Sequence, residues 1–459
     1  MTLGRRQVLE AIASVGLATG LGAGEAAAHG NEIERDVCII GGGSAGTYAA
    51  LRLRELGRSV VVVERSGRLG GHCETFQDPA SGAPIDIGVI VFPDQELVRA
   101  HFGRFGVPLV SANLGAGPSQ FVDFRSGTSV AAFQPSPLEV GTALATYLQL
   151  LQTRFAFLEQ NGFQLPESGP ILDELLLPFG QWVSLYGLEA LVPTFFLFEQ
   201  GFGPLLEATT LYVLKNMSSA VVGALVQGSF LIAPTGAGAL YAAAATELAG
   251  DVLYEGEVCA VERDRHVRVR VRSGGAEHVI RASRLLFTAP PLLSNLECFG
   301  LDAREAALFA RFERHHYWTG VVELEGMPAG VSLVNAAQDA PFNLGTLPGI
   351  YSIGPSAAPG LFNVKYGSDH YLPDALVQRR IRADVERMGG LAFKRFAIFK
   401  NHSPYSLVVS PGEIRAGFYG SLQALQGHRH THYAGAAFQT HSSAAIWAQL
   451  EELLPALVA

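Results

Sequence analysis

The stretch Asp36-Val37-Cys38-Ile39-Ile40-Gly41-Gly42-Gly43-Ser44-Ala45-Gly46 decides the fold, because an apolar run of buried-strand type passes straight into a GxGxxG turn. Thr47 to Leu56 then sets Ala50, Leu53 and Leu56 on one helical face, and Gly57 follows as a stop. Ser59 to Val63 supplies a second, β-branched strand that ends in the acid Glu64. Strand, glycine turn, helix, strand and terminal carboxylate make a complete βαβ unit of the kind that binds a dinucleotide. Gly41 permits the tight turn, Gly43 lets backbone approach a pyrophosphate at the helix N-terminus, and Gly46 allows helix and strand to pack closely. Ser44 and Ala45 complete the turn on the diphosphate side. Glu64 stands where it accepts hydrogen bonds from the adenosine ribose, and its charge repels a 2′-phosphate, which disfavours NADP and leaves NAD or FAD.

Around this unit the chain reads as folded throughout: 48% of its 459 residues are hydrophobic and only 16% charged, too apolar for a disordered chain. A net charge of −9 without a basic run supplies no attraction for nucleic acid or an anionic membrane. Cys38, Cys73, Cys259 and Cys298 form no CxxC pair, so burial is the expected role of each. Residues 1–28 have the three regions of a secretory signal: Arg5-Arg6, an uncharged small-residue stretch from Ala11 to Gly24, and Ala26-Ala27-Ala28 at the expected cleavage site. The paired arginines resemble a twin-arginine signal, which implies export to the periplasm or the exterior, with no membrane span in the mature chain. A P-loop and an HExxH motif are both absent.

Arg65 and then Arg68-Leu69-Gly70-Gly71-His72 follow the ribose-binding strand, and Asp86-Ile87-Gly88 comes shortly after. This segment resembles the RxGG(R/K) motif of the flavin-containing amine oxidase superfamily and implies FAD rather than NAD, with the arginine and glycine pair along the diphosphate and flavin edge. His72 stands where an Arg or Lys is usual. Pro234-Thr235-Gly236 with Glu257-Val258, and His432-Tyr433-Ala434-Gly435 before a last helix, resemble the stretches where the superfamily returns to its FAD domain. The resemblance implies that Val258 holds the adenine edge and that Tyr433 to Thr440, Gly435 included, carries the ribityl chain and pyrimidine. Ala436 replaces the acid usual there.

Leu177-Pro178-Phe179, Tyr186-Gly187, Phe202-Gly203, Tyr212 to Lys215 and Ala416 to Tyr419 are similar to the FAD-dependent polyunsaturated fatty acid isomerases and, more loosely, to the β-cyclopiazonate dehydrogenases. Gly117 to Gln120 lacks the basic residues of the isomerases, which weighs against a free carboxylate substrate.

These features predict an α/β fold with a Rossmann-type FAD domain from residues 33–110, 230–300 and 400–459. An α+β substrate domain from 111–229 and 301–399 is interleaved with it. Trp318 to Leu324, Gly330 to Val334 and Leu361 to Tyr366 are its expected antiparallel strands. Phe195, Phe196, Phe198 and Tyr405 are candidates for lining an apolar substrate cavity, with ordinary core packing as the alternative. A helix from Ser442 to Leu454 would point its N-terminus at charge developing on the flavin pyrimidine, with Thr440 and Ser442 as caps.

His428, His430 and His432 would share a face on a strand, but no acidic or cysteine ligand accompanies them, so no metal site is assigned. The expected activity is an exported FAD-dependent oxidoreductase that takes hydride from a carbon of a small, largely apolar substrate, its electron acceptor (oxygen or a quinone) left open. A redox-neutral double-bond isomerase of a fatty-acid-like lipid is the alternative, and a non-catalytic flavin-binding protein the third reading.

Overall fold

The computed structural model describes residues 31–112 and 117–459. The export-type segment 1–28 lies outside them. Strand β1 (Asn31–Ile40) runs parallel to β2 (Val60–Val63), with Val37 opposite Val60 and Ile40 opposite Val63, and helix α1 (Ser44–Glu55) connects them. All four valines of β2 are buried, as a strand covered on both faces requires. On its other side β1 pairs in parallel with Ala276–Phe287, whose last three residues also pair in parallel with Thr431–Tyr433. The same long strand begins an antiparallel ribbon with Val267–Ser273 and then Glu257–Glu262. Val267, Val269 and Val271 point inward there and the arginines between them outward, the two-residue period of a half-buried sheet. One sheet therefore gathers residues from the two ends and the middle of the chain.

The second sheet is mostly antiparallel, in the order Ala392–Asn401, His316–Glu325, Leu361–Ser368, Gly349–Pro355, Ser332–Asn335, Ser119–Asp123 and Thr128–Ser129. The three strands expected from sequence are present, but Ser332–Asn335 has one antiparallel neighbour and one parallel neighbour, Ser119–Asp123. One face packs Trp318, Val364 and Tyr366 beneath Val377, Ile381 and Val385 of the helix Asp374–Arg387. On the other face the Thr319 hydroxyl donates to the Ile87 carbonyl, just after the strand Pro84–Asp86.

A helical block covers residues 137–227. Its apolar stretch from Leu211 to Val226 lies in two helices, Thr210–Asn216 and Ser219–Gln227. Lys215 ties the first of these down, its buried ammonium donating to the carbonyls of Leu158, Gln160 and Gly162 at 2.8–3.0 Å. A fully buried ion pair joins the nucleotide sheet to the helix Ala303–Phe309: Arg263 donates twice to Glu305, at 2.7 and 2.9 Å, and the Tyr433 hydroxyl adds a third bond at 2.9 Å.

Candidate functional site

Local sterics explain the glycines of the first turn. Gly41 has φ +105°, and a Cβ there would lie 2.8 Å from the Thr288 hydroxyl. A Cβ on Gly46 would collide with the Gly41 carbonyl, so only glycine lets α1 start this close to β1. Gly43 differs, since a Cβ there would meet nothing nearer than the Gly71 Cα at 4.0 Å. Across this gap the Gly70 amide donates to the Gly42 carbonyl at 2.8 Å, and Gly71 has φ +54°. Two glycine loops thus face each other over a groove that side chains would fill.

Arg68 serves the second loop from within, donating to the Gly71 carbonyl at 2.7 Å and to Glu74 at 2.6 Å. Arg65 is exposed. Ser44 is pinned, its hydroxyl accepting from Tyr241 and from the Trp447 indole at 3.0 Å each, while Ala45 is buried beside it.

Glu64 is buried at the end of β2, where one carboxylate oxygen accepts the Gly42 amide at 2.6 Å and the other the Ser66 amide at 2.8 Å. It shapes the glycine turn as well as facing the groove, and each oxygen keeps a second lone pair for a ribose hydroxyl. The Gly256 amide donates to the Glu64 carbonyl at 2.9 Å, which brings the half-buried Val258 next to the same corner.

The C-terminal motif closes the groove from the other side. The Ala434 amide donates to the Phe287 carbonyl, and Gly435, at φ +109°, would put a Cβ 3.2 Å from the Thr288 carbonyl. Thr288 also donates to the Gly41 carbonyl at 2.9 Å, so it links the first and last motifs. Sequence reasoning missed it, because its signal is only a threonine after a long apolar strand. Ala436 and Thr440 stay half-buried at the mouth. Ser442 alone caps the last helix, Ser443–Val458, accepting from the Ala445 amide, whereas the Thr440 hydroxyl lies 3.2 Å from the Asn216 side-chain oxygen.

Beyond Gly71 the groove opens into rings. His72 stacks on His402 at 4.7 Å and on Tyr405 at 5.6 Å, and Tyr405 lies 4.6 Å from His441 and 4.8 Å from Tyr317. Phe202 closes the group at 5.0 Å from His441. Burial pushes His72 down to about 4, with Arg65 and Arg68 adding to the effect, and burial takes His441 to about 3. Both imidazoles are therefore neutral at pH 7. His72, Tyr405 and His441 nevertheless keep accessible surface. Gly201, at φ +92°, makes room for the Tyr405 and Tyr317 rings. Behind the wall Glu199 is 2% exposed, accepts from the Asn216 amide at 2.7 Å, and is pushed by burial up to about 8.

The candidate phenylalanines divide. Phe196 stands at an apolar cavity of about 130 Å³ shared with Phe121, Phe133, Leu197 and Phe342. Phe198 lines a second, of about 120 Å³, together with Asn216, His441 and Ser442. Phe195 is corrected: it is fully buried in the helical core, 5.1 Å from Tyr147 and 5.8 Å from Phe179, because it sits on the inward side of the helix Val192–Phe198. The alternating histidines share no strand face either. His428–His430 form a helical turn, His428 bonds Asp302 at 2.6 Å, and only His432 enters the sheet. The nearby Glu305 carboxylate is already held by Arg263.

Residues 44–308 match the model of the family described as flavin containing amine oxidoreductase. The chain belongs to this family. It is 34% identical over 443 residues to the FAD-dependent oxidoreductase dbaF of Emericella nidulans, covering 93% of this chain and 92% of that protein. It is also 34% identical over 453 residues to a beta-cyclopiazonate dehydrogenase of Aspergillus oryzae, covering 97% and 96%. Among solved structures, the CLA-producing fatty acid isomerase from P. acnes superposes with a TM-score of 0.76 at 20% identity, over 93% of this chain and 99% of that one, a likeness of fold. This chain is accordingly an FAD-dependent oxidoreductase with a Rossmann-type nucleotide domain.

The residues present fit FAD. The paired glycine loops form a cradle that a Cβ would fill, the buried Glu64 offers acceptors to a ribose, and the capped last helix starts two residues after His441 of the ring cluster. Gly41 to Gly46 and Gly70-Gly71 would hold the diphosphate, Glu64 and Val258 the adenosine, and Gly435 to Thr440 the ribityl and pyrimidine side.

Proposed function

We propose that this flavoenzyme removes hydride from a carbon of a small, largely apolar substrate. The observation that carries the reading is the cluster of neutral rings, His72, Tyr317, Phe202, Tyr405 and His441, that begins directly after the second glycine pair. These rings offer shape and water exclusion, and the second cavity, at Phe198, reaches His441 of the same cluster. Bound FAD supplies hydride acceptance at the flavin, so the protein's task is to orient the donor carbon, exclude water and stabilise charge. The N-terminal end of Ser443–Val458 supports negative charge on the pyrimidine side through its dipole and free amides. The relatives named as oxidoreductase and dehydrogenase favour net oxidation over isomerisation. In this reading segments 33–110, 230–300 and 400–459 hold the cofactor and segments 111–229 and 301–399 the substrate. Residues 1–28 direct export by the twin-arginine route, which a reporter fused to them, with and without Arg5→Lys and Arg6→Lys, tests.

Anaerobic mixing of holoenzyme with candidate apolar substrates tests the chemistry. Lasting bleaching of the flavin absorption is expected. Product formed without bleaching would replace oxidation by redox-neutral isomerisation.

A further inference from the structure

The strand face that carries Tyr317 of the ring cluster also carries a cation, Lys365. Lys365 lies in the strand Leu361–Ser368, directly opposite Thr319 on one neighbour and Ser352 on the other. Paired residues share a face of a sheet and successive residues alternate. Lys365 is therefore on the face of Tyr317 and Thr319, away from Trp318, Val364 and Tyr366, which pack under the helix Asp374–Arg387. Tyr317 belongs to the ring cluster, and Thr319 meets the Ile87 carbonyl, next to Gly88, which packs against the His72 carbonyl. Lys365 stands one pleat from Tyr317, about 7 Å along the strand, within reach of a flexible four-carbon stem.

The neighbouring cations are taken. Arg68 and Lys400 both bind Glu74, at 2.6 and 2.9 Å, and Lys215 is satisfied by three carbonyls. Lys365 has no such partner among the described residues. Burial is the sole influence on its acidity, lowering the ammonium to about 8, and no carboxylate acts on it. The side chain is half-buried, so it keeps accessible surface inside the protein. Desolvating an ammonium without a counter-charge is costly, and such a group is a ready acceptor of a bound anion.

We propose that Lys365 recognises a carboxylate on the substrate, so that the preferred substrate is an apolar molecule with one acidic head group. This rests on the apolar-substrate reading and deepens it. It also gives an acid a site that the uncharged Gly117 to Gln120 segment does not provide.

The test titrates holoenzyme with decanoate and with decan-1-ol, following the flavin visible spectrum and binding heat. Decanoate is expected to bind wild type at least tenfold more tightly than Lys365→Met, while decanol binds both alike. Lys365→Gln, checked for unchanged FAD content and melting temperature, repeats the comparison where the methionine variant folds poorly. Equal binding of decanoate to wild type and both variants overturns the role of Lys365 and leaves the apolar reading standing. Failure of both probes to bind wild type overturns the two together.

Discussion

Gly43→Ala separates the cofactor cradle from the fold. Gly43 caps α1 with φ −70° and ψ −167°, a conformation alanine adopts, and the new methyl would meet only the Gly71 Cα at 4.0 Å. Apoprotein stability should fall by about 1 kcal/mol or less, the scale of a poorer N-cap. The methyl would nevertheless stand between the two glycine loops, where backbone amides would hold the diphosphate. Each charge-assisted hydrogen bond lost there is worth about 1.5–3 kcal/mol. At 1.4 kcal/mol per factor of ten, loss of one such bond weakens FAD binding by roughly 10- to 100-fold. Titration of apoprotein with FAD, followed by quenching of flavin fluorescence, gives the affinity, and thermal melts of the apoprotein give the stability. Gly46→Ala is the counterpart: its Cβ collides with the Gly41 carbonyl, so the apoprotein itself should lose about 3 kcal/mol or more. Wild-type FAD affinity in Gly43→Ala would refute the placement of the diphosphate between the two glycine loops.

Glu64→Gln should weaken FAD retention about tenfold, because an amide nitrogen then faces the Gly42 or Ser66 N–H; unchanged flavin content after dialysis contradicts this. Arg263→Met should cost about 3–5 kcal/mol in denaturant unfolding by stranding the buried Glu305, and a loss under 1 kcal/mol would show that water reaches the pair. Glu199 has a carboxyl pKa raised from its ordinary 4.5 to about 8, so the folded protein binds the extra proton between those values. Its contribution to stability is accordingly greatest below pH 4.5, is lost as pH rises toward 8, and is level above. Melting temperatures from pH 5 to pH 9 should therefore fall more steeply in wild type than in Glu199→Gln, and parallel curves would be the contrary result.

The nucleotide half was readable from consecutive residues. A GxGxxG turn is a local object: the conformation of Gly41, the closeness forced at Gly46 and the placement of Glu64 after β2 all follow from a short run of chain. The second glycine pair was legible only through its resemblance to the amine oxidase motif, and the capped C-terminal helix from its cap and apolar run, although that helix goes on to Val458 through Pro455.

The ring cluster comes together only on folding. His72, Phe202, Tyr317, Tyr405 and His441 are scattered along the chain, and no spacing rule joins side chains brought in by separate sheets and loops. The aromatic run at Phe195 to Phe198 could not say which rings face a cavity, because helix rotation against the core makes that choice. The face on which Lys365 stands depends on strand parity and on which side of the sheet the helix Asp374–Arg387 covers, and burial by distant segments sets its charge balance. Short-range geometry is written in consecutive residues, whereas an enclosed site exists only once remote segments exclude water together.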